Sequence, residues 1–71
     1  MPNPITTKKV IKTLEENGFV FVSQKGSHAK YCKRGSPSLV VIVPIHGKEI
    51  LYGTFCSILR QSKLSEDIFR K

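Results

Sequence analysis

An α+β domain of order α-β-β-β-α follows from three observations on this 71-residue sequence. Apolar residues recur at helical spacing in two separated segments, and between them stand three short β-branched or aromatic runs. Compact turn clusters join those runs, and turns so short cannot make crossovers, so consecutive strands form a three-stranded antiparallel meander. A meander with apolar residues to cover places both main helices on one face and leaves the other face open for binding.

The first helix runs from Thr6 to Asn17, where Val10, Ile11 and Leu14 give one buried stripe and Lys8, Lys9, Lys12, Glu15 and Glu16 take the solvent side. Thr6 or Thr7 caps its start, and Asn17-Gly18 supplies the left-handed residue that stops it. Lysines come early and glutamates late, against the helix dipole, so packing must hold this element. Phe19 to Val22 is a strand, and Lys25-Gly26-Ser27 is the turn that follows. From His28 to Lys33, one face carries His28, Lys30 and Cys32 and the other carries Ala29, Tyr31 and Lys33. Alternation alone does not say which face is buried. A second turn cluster, Arg34 to Ser38, leads into Leu39-Val40-Val41-Ile42-Val43, a third strand stopped by Pro44. After a loop holding His46-Gly47-Lys48, Gly53-Thr54 opens the second helix with Thr54 as its cap and Phe55, Ile58 and Leu59 as core residues. Ser65 caps a short third helix whose first turn holds Glu66 and Asp67.

Composition narrows the function classes. A chain this short has room for one core, so residues 1–71 are read as a single domain. No apolar run approaches the ~18–20 residues that span a bilayer, and Met1-Pro2-Asn3-Pro4-Ile5 lacks the basic and apolar regions of a secretion signal. The expectation is a cytoplasmic protein without a membrane partner. Cys32 and Cys56 belong to no metal-ligand spacing and read as reduced packing residues, so neither metal nor cofactor is expected. Twelve Lys/Arg against five Asp/Glu give a net charge of +7, which favours nucleic acid or an acidic protein as partner. No recognition-helix pattern is visible, so direct DNA binding is not expected.

The 32 residues from Asn17 to Lys48 contain no carboxylate, and His28 stands inside that span between Lys25 and Lys30. Imidazole is the side chain suited to proton transfer near neutral pH, and the lysines are what a phosphodiester seeks. RNA cleaves itself when its 2′-hydroxyl loses a proton and attacks the adjacent phosphorus, which calls for a base, an acid and positive charge, with no metal required. His28 fits the base or the acid. Ser27 can hydrogen-bond a phosphate, and Tyr31 can stack on a base or fill a core gap. Lys33, Arg34 and Lys48 extend the basic surface, and His46 is the only other imidazole available.

Gly26-Ser27-His28 with Tyr31, followed by Gly53-Thr54 with Ile58, Leu59 and Gln61, resembles the HicA (YcfA-like) toxins of type II toxin–antitoxin systems over nearly the whole chain. The resemblance implies a fold similar to the double-stranded-RNA-binding domain. It also implies a ribosome-independent mRNA interferase with His28 as the essential residue and a HicB-like antitoxin as partner. The family pattern often carries a second polar residue after the motif histidine, where this chain has Ala29. The antitoxin is expected to cover the open face and meet Lys25, Lys30 and Lys33 with acidic residues. The competing reading is a non-catalytic RNA-binding module that uses the same basic face.

Overall fold

The computed structural model describes residues 4–71; Met1-Pro2-Asn3, part of the segment read as carrying no secretion signal, lies outside the described residues. Eight elements follow in order: β1 (Ile5–Thr6), α1 (Thr7–Glu16), β2 (Val20–Lys25), β3 (His28–Lys33), β4 (Leu39–Pro44), β5 (Glu49–Ile50), α2 (Tyr52–Ser62) and α3 (Glu66–Phe69). β2, β3 and β4 form the expected antiparallel meander, with β3 in the centre. Both main helices pack on one face of it, in the α-β-β-β-α order of a double-stranded-RNA-binding domain with a short C-terminal helix added.

The buried face is decided by what the helices cover. Ala29 and Tyr31 on β3 pair with Val43 and Val41 on β4, and these four side chains meet Val10 and Leu14 of α1 and Phe55 and Ile58 of α2 in one core. Phe69 of α3 closes the core by standing edge-on against Phe55, with ring centroids 5.4 Å apart. The β-branched residues of β4 suit a half-buried pleat, and the wide side chains of α2 fill the space a small sheet leaves.

Thr6 is the N-cap of α1, and its hydroxyl accepts a hydrogen bond from the Lys9 amide at 3.1 Å. No acidic residue stands in the first turn of α1 and no basic one in the last, so the dipole is opposed as the charges predict. The helix ends at Asn17, whose amide donates to the Thr13 and Leu14 carbonyls, and Gly18 then takes φ +93°.

Two capping expectations need correction, and one strand pair has no counterpart in the sequence reading. Thr54 does not cap α2, which begins at Tyr52 with Leu51 as an N-cap lacking any side-chain hydrogen bond. The start is set earlier because β5 ends at Ile50, and the first helical bond closes from the Phe55 amide to the Leu51 carbonyl at 2.9 Å. Ser65 does stand at the N-cap of α3, but its hydroxyl makes no capping bond. The β1–β5 pair, Ile5 opposite Ile50, was not foreseen.

The first hairpin has a two-residue loop, Gly26-Ser27, between the paired residues Lys25 and His28. Gly26 takes φ +60° and Ser27 does not have positive φ, which is the mirror-image turn with glycine in its first central position. A Cβ at Gly26 would meet nothing within 4 Å, so the cost of Gly26→Ala is backbone strain alone. That substitution is expected to lower stability by about 1 kcal/mol, the penalty of a left-handed L-residue, read as a shift of the urea midpoint.

Candidate active site on the open face of the sheet

His28 is the first residue of β3, and three neighbours fix its position. Across the hairpin it pairs with Lys25, and across the other side it pairs with Pro44 of β4. One residue further, the Ile45 amide donates to the Ser27 carbonyl at 2.7 Å. That bond carries the β3–β4 register past the end of the sheet and folds the loop after Pro44 back beside the turn.

The result is a cleft of about 350 Å³ whose walls include His28, Pro44 and His46, with Glu49, Thr54 and Gln61 on the side of β5 and α2. The two imidazoles of the chain therefore share one cavity, although they stand far apart in sequence. His28 and His46 are both exposed, so solvent reaches them. Among the described residues, no three His, Cys, Asp or Glu side chains gather where they could hold a metal ion.

The pleat gives this face its chemistry. Side chains paired with the outward residues of β3 are Lys25 opposite His28, Ser23 opposite Lys30 and Val20 opposite Cys32. On the other flank, Lys30 stands opposite Ile42 and Cys32 opposite Val40. Lys25 and Lys30 are exposed beside His28, and Ser27 is half-buried in the turn. The same face also exposes Val20, Val40 and Ile42.

Other expected site residues lie elsewhere. Tyr31 is 5% exposed and belongs to the core, so of its two sequence roles it takes the gap-filling one. Burial, and secondarily the charge of Glu15, push its hydroxyl above the ordinary tyrosine range, which leaves it a neutral packing group. Phe21 stacks edge-on against it at 5.8 Å. Lys33 turns to the helix side and sets its ammonium 5.8 Å from the centre of the Phe19 ring. At about 3.3 Å per residue, Lys33 is about 16 Å along the strand from His28, and Arg34 lies beyond it. Lys48 lines a different cleft, on the far side of the sheet. The structure thus gathers His28, His46, Lys25, Lys30 and Ser27, and disperses Tyr31, Lys33, Arg34 and Lys48.

Gln61, Thr54 and Glu49 line the cleft without having been singled out for it. Gln61 Oε1 accepts the Ile42 amide at 3.0 Å, so the α2 side chain caps the outer edge of β4. With its oxygen held, the amide nitrogen remains a donor for the cleft. The motif position of Gln61 was the only sequence signal. Gln61→Leu releases an exposed edge amide to water and is expected to cost about 1 kcal/mol, measured by denaturant unfolding.

A small basic α+β domain with an open sheet face and a cleft lined by two histidines at its rim is the class that these features define. The family described as HicA toxin of bacterial toxin-antitoxin matches residues 7–64, and the chain belongs to the HicA toxin family. No match to the chain is found among curated proteins. No helix among the described residues is long and apolar enough to cross a membrane.

Proposed function

We propose that this toxin is a metal-independent, ribosome-independent endoribonuclease that cleaves mRNA in the cytoplasm, with His28 as its general acid or base. The observation that carries this reading is the cleft in which His28 and His46 share walls beside Lys25 and Lys30 on the open face. In the reaction, the 2′-oxygen gives its proton to one imidazole and bonds to phosphorus. The phosphorus–O5′ bond breaks, and the departing oxygen takes a proton from the second group. Lys25 and Lys30 offset the charge that grows on the phosphorane oxygens, and Ser27 hydrogen-bonds a phosphate. Two groups with complementary protonation states suffice for both transfers.

The toxin–antitoxin family implies an antitoxin partner. We place a HicB-like antitoxin over the open face, where Val20, Val40 and Ile42 expose apolar surface next to the lysines. An apolar patch with a charged rim is what a protein partner buries, and covering it here also closes the cleft.

The test is the chemistry of the cut ends. Purified toxin incubated with mRNA in EDTA is expected to leave 2′,3′-cyclic phosphate and 5′-hydroxyl termini. Fragments with 5′-phosphate ends would contradict the 2′-oxygen mechanism. Intact RNA bound with a steep salt dependence would select the non-catalytic RNA-binding module instead.

A further inference from the structure

The turn from β5 into α2 leaves two apolar side chains outside the core. β5 ends at Ile50 and α2 begins at Tyr52, so a single residue, Leu51, joins strand to helix. Ile50 before it and Phe55 after it are buried and hold this segment to the core. Leu51 and Tyr52 have no such duty and are 80% and 47% exposed. Apolar residues scattered singly over a surface are ordinary, whereas adjoining ones beside a cleft point to a ligand.

Tyr52 lines a second, smaller cleft of about 190 Å³, in which Ile5 and Phe55 supply apolar lining and Glu49 and Arg70 supply charge. Glu49, Ile50 and Leu51 line this cleft and the histidine cleft alike, so one wall divides the two. A strand that lies at His28 has only that wall to cross. The Tyr52 ring is tilted at 56° to the Phe55 ring with centroids 6.3 Å apart, so the buried ring backs the exposed one.

Size and charge choose the occupant. A cavity of roughly 150 Å³ takes one benzene-sized ring, so this cleft has room for one planar ring and not for a helix or strand. Glu49 and Arg70 bring one charge of each sign, which favours neither a phosphate nor an acidic peptide. Arg70 Nε donates to Glu66 at 2.8 Å, and its terminal amino groups remain as donors. An apolar protein side chain would take water from these groups and from the Glu49 carboxylate and return no hydrogen bond. A nucleobase carries both acceptors and donors on its edge.

We infer that Tyr52 is a stacking platform for the unpaired base next to the nucleotide held at His28, with Leu51 as the edge over which the strand passes. Every base has a flat π-face, so this contact adds affinity without reading sequence. The inference rests on the reading that RNA occupies the histidine cleft, and it holds whether or not the strand is cut.

The chain has two tyrosines, and Tyr31 is buried in the core, so NMR of the tyrosine rings isolates Tyr52. The His28→Ala toxin, which leaves the strand uncut, is titrated with an eight-nucleotide single-stranded RNA of mixed sequence. The Tyr52 ring signals are expected to move upfield and those of Tyr31 to stay, while the amides of Lys25 and Lys30 move as the RNA arrives. An oligomer with the same backbone and no bases should move the lysine amides and leave Tyr52 unmoved. Tyr52→Ala should weaken RNA binding by about 5- to 150-fold, the value of one stacked base, and by the same factor at low and high salt. Tyr52→Phe keeps the ring and should keep the affinity. Full affinity in the alanine variant, or Tyr52 signals that stay while the lysine amides move, would overturn the proposal and give the cleft to a protein side chain. No movement at either place would remove the RNA reading of the histidine cleft as well.

Discussion

His28→Ala is expected to lower RNA cleavage by about 100- to 10,000-fold, the span that a positioned general acid or base contributes. The fold should survive, because His28 is exposed at the end of β3 and its side chain is not part of the core. Its backbone pairing to Lys25 and Pro44 does not depend on the imidazole. Single-turnover cleavage rates at matched protein concentration measure the effect, and an unchanged melting curve shows that it is chemical. His46 lines the same cleft, so His46→Ala is expected to impair the same step. Groups that act as a unit are not additive, and the double variant should lose little beyond the worse single one. Independent multiplication of the two losses would instead mean that His46 acts separately from His28, and an undiminished rate for His46→Ala would place it outside the reaction.

Phe55→Ala should unfold the domain. Phe55 is fully buried. It stands edge-on to Phe69 at 5.4 Å, and the Arg70 guanidinium lies 5.3 Å from its ring centre. Truncating a buried Phe costs about 3–5 kcal/mol, and a domain of this size has only about that much net stability. Removing this ring takes away the edge-on contact with Phe69 of α3 and part of the layer that holds α2 against the sheet. Far-UV circular dichroism should show no cooperative melt for Phe55→Ala. Phe55→Leu retains most of the volume and should melt cooperatively at a lower temperature. A cooperative alanine variant would mean that the core lies elsewhere.

Much of this architecture was legible in the chain because its elements carry local signals. Val10, Ile11 and Leu14 mark α1 by spacing, Thr6 and Asn17-Gly18 mark its ends, and Gly26 marks the first turn. The β1–β5 pair escaped because two residues a side, Ile5-Thr6 with Glu49-Ile50, have no period to detect. The start of α2 was misplaced for a related reason. A threonine after glycine suggests a cap, but the end of β5 sets where the helix begins, and that is a tertiary fact. The site divides in the same way. His28, Lys25 and Lys30 could be grouped from the alternation of β3 and the hairpin, whereas the burial of Tyr31 required knowing which face the helices cover. Lys33 lies on the Tyr31 face, and its pairing with the Phe19 ring is visible only once α1 meets the sheet. Gln61 reached the cleft through its bond to the edge of β4, which no spacing rule anticipates.

The dispersal of Lys33, Arg34 and Lys48 also sharpens what the charge does. A net +7 spread over all surfaces would attract RNA without placing it. Here Lys25 and Lys30 stand on the histidine face, while Lys8 and Lys48 line the opposite cleft.

In the proposed reaction His28 performs proton transfer on RNA and does not merely hold it. One experiment separates these roles: a single RNA, in EDTA, assayed for both binding and cleavage with the wild type and His28→Ala. Both proteins are expected to bind with affinities within about a few-fold, because the lysines supply most of the attraction, and only the wild type is expected to cut. Equal cutting by the two proteins, or an alanine variant that loses binding and cleavage in the same proportion, would contradict it.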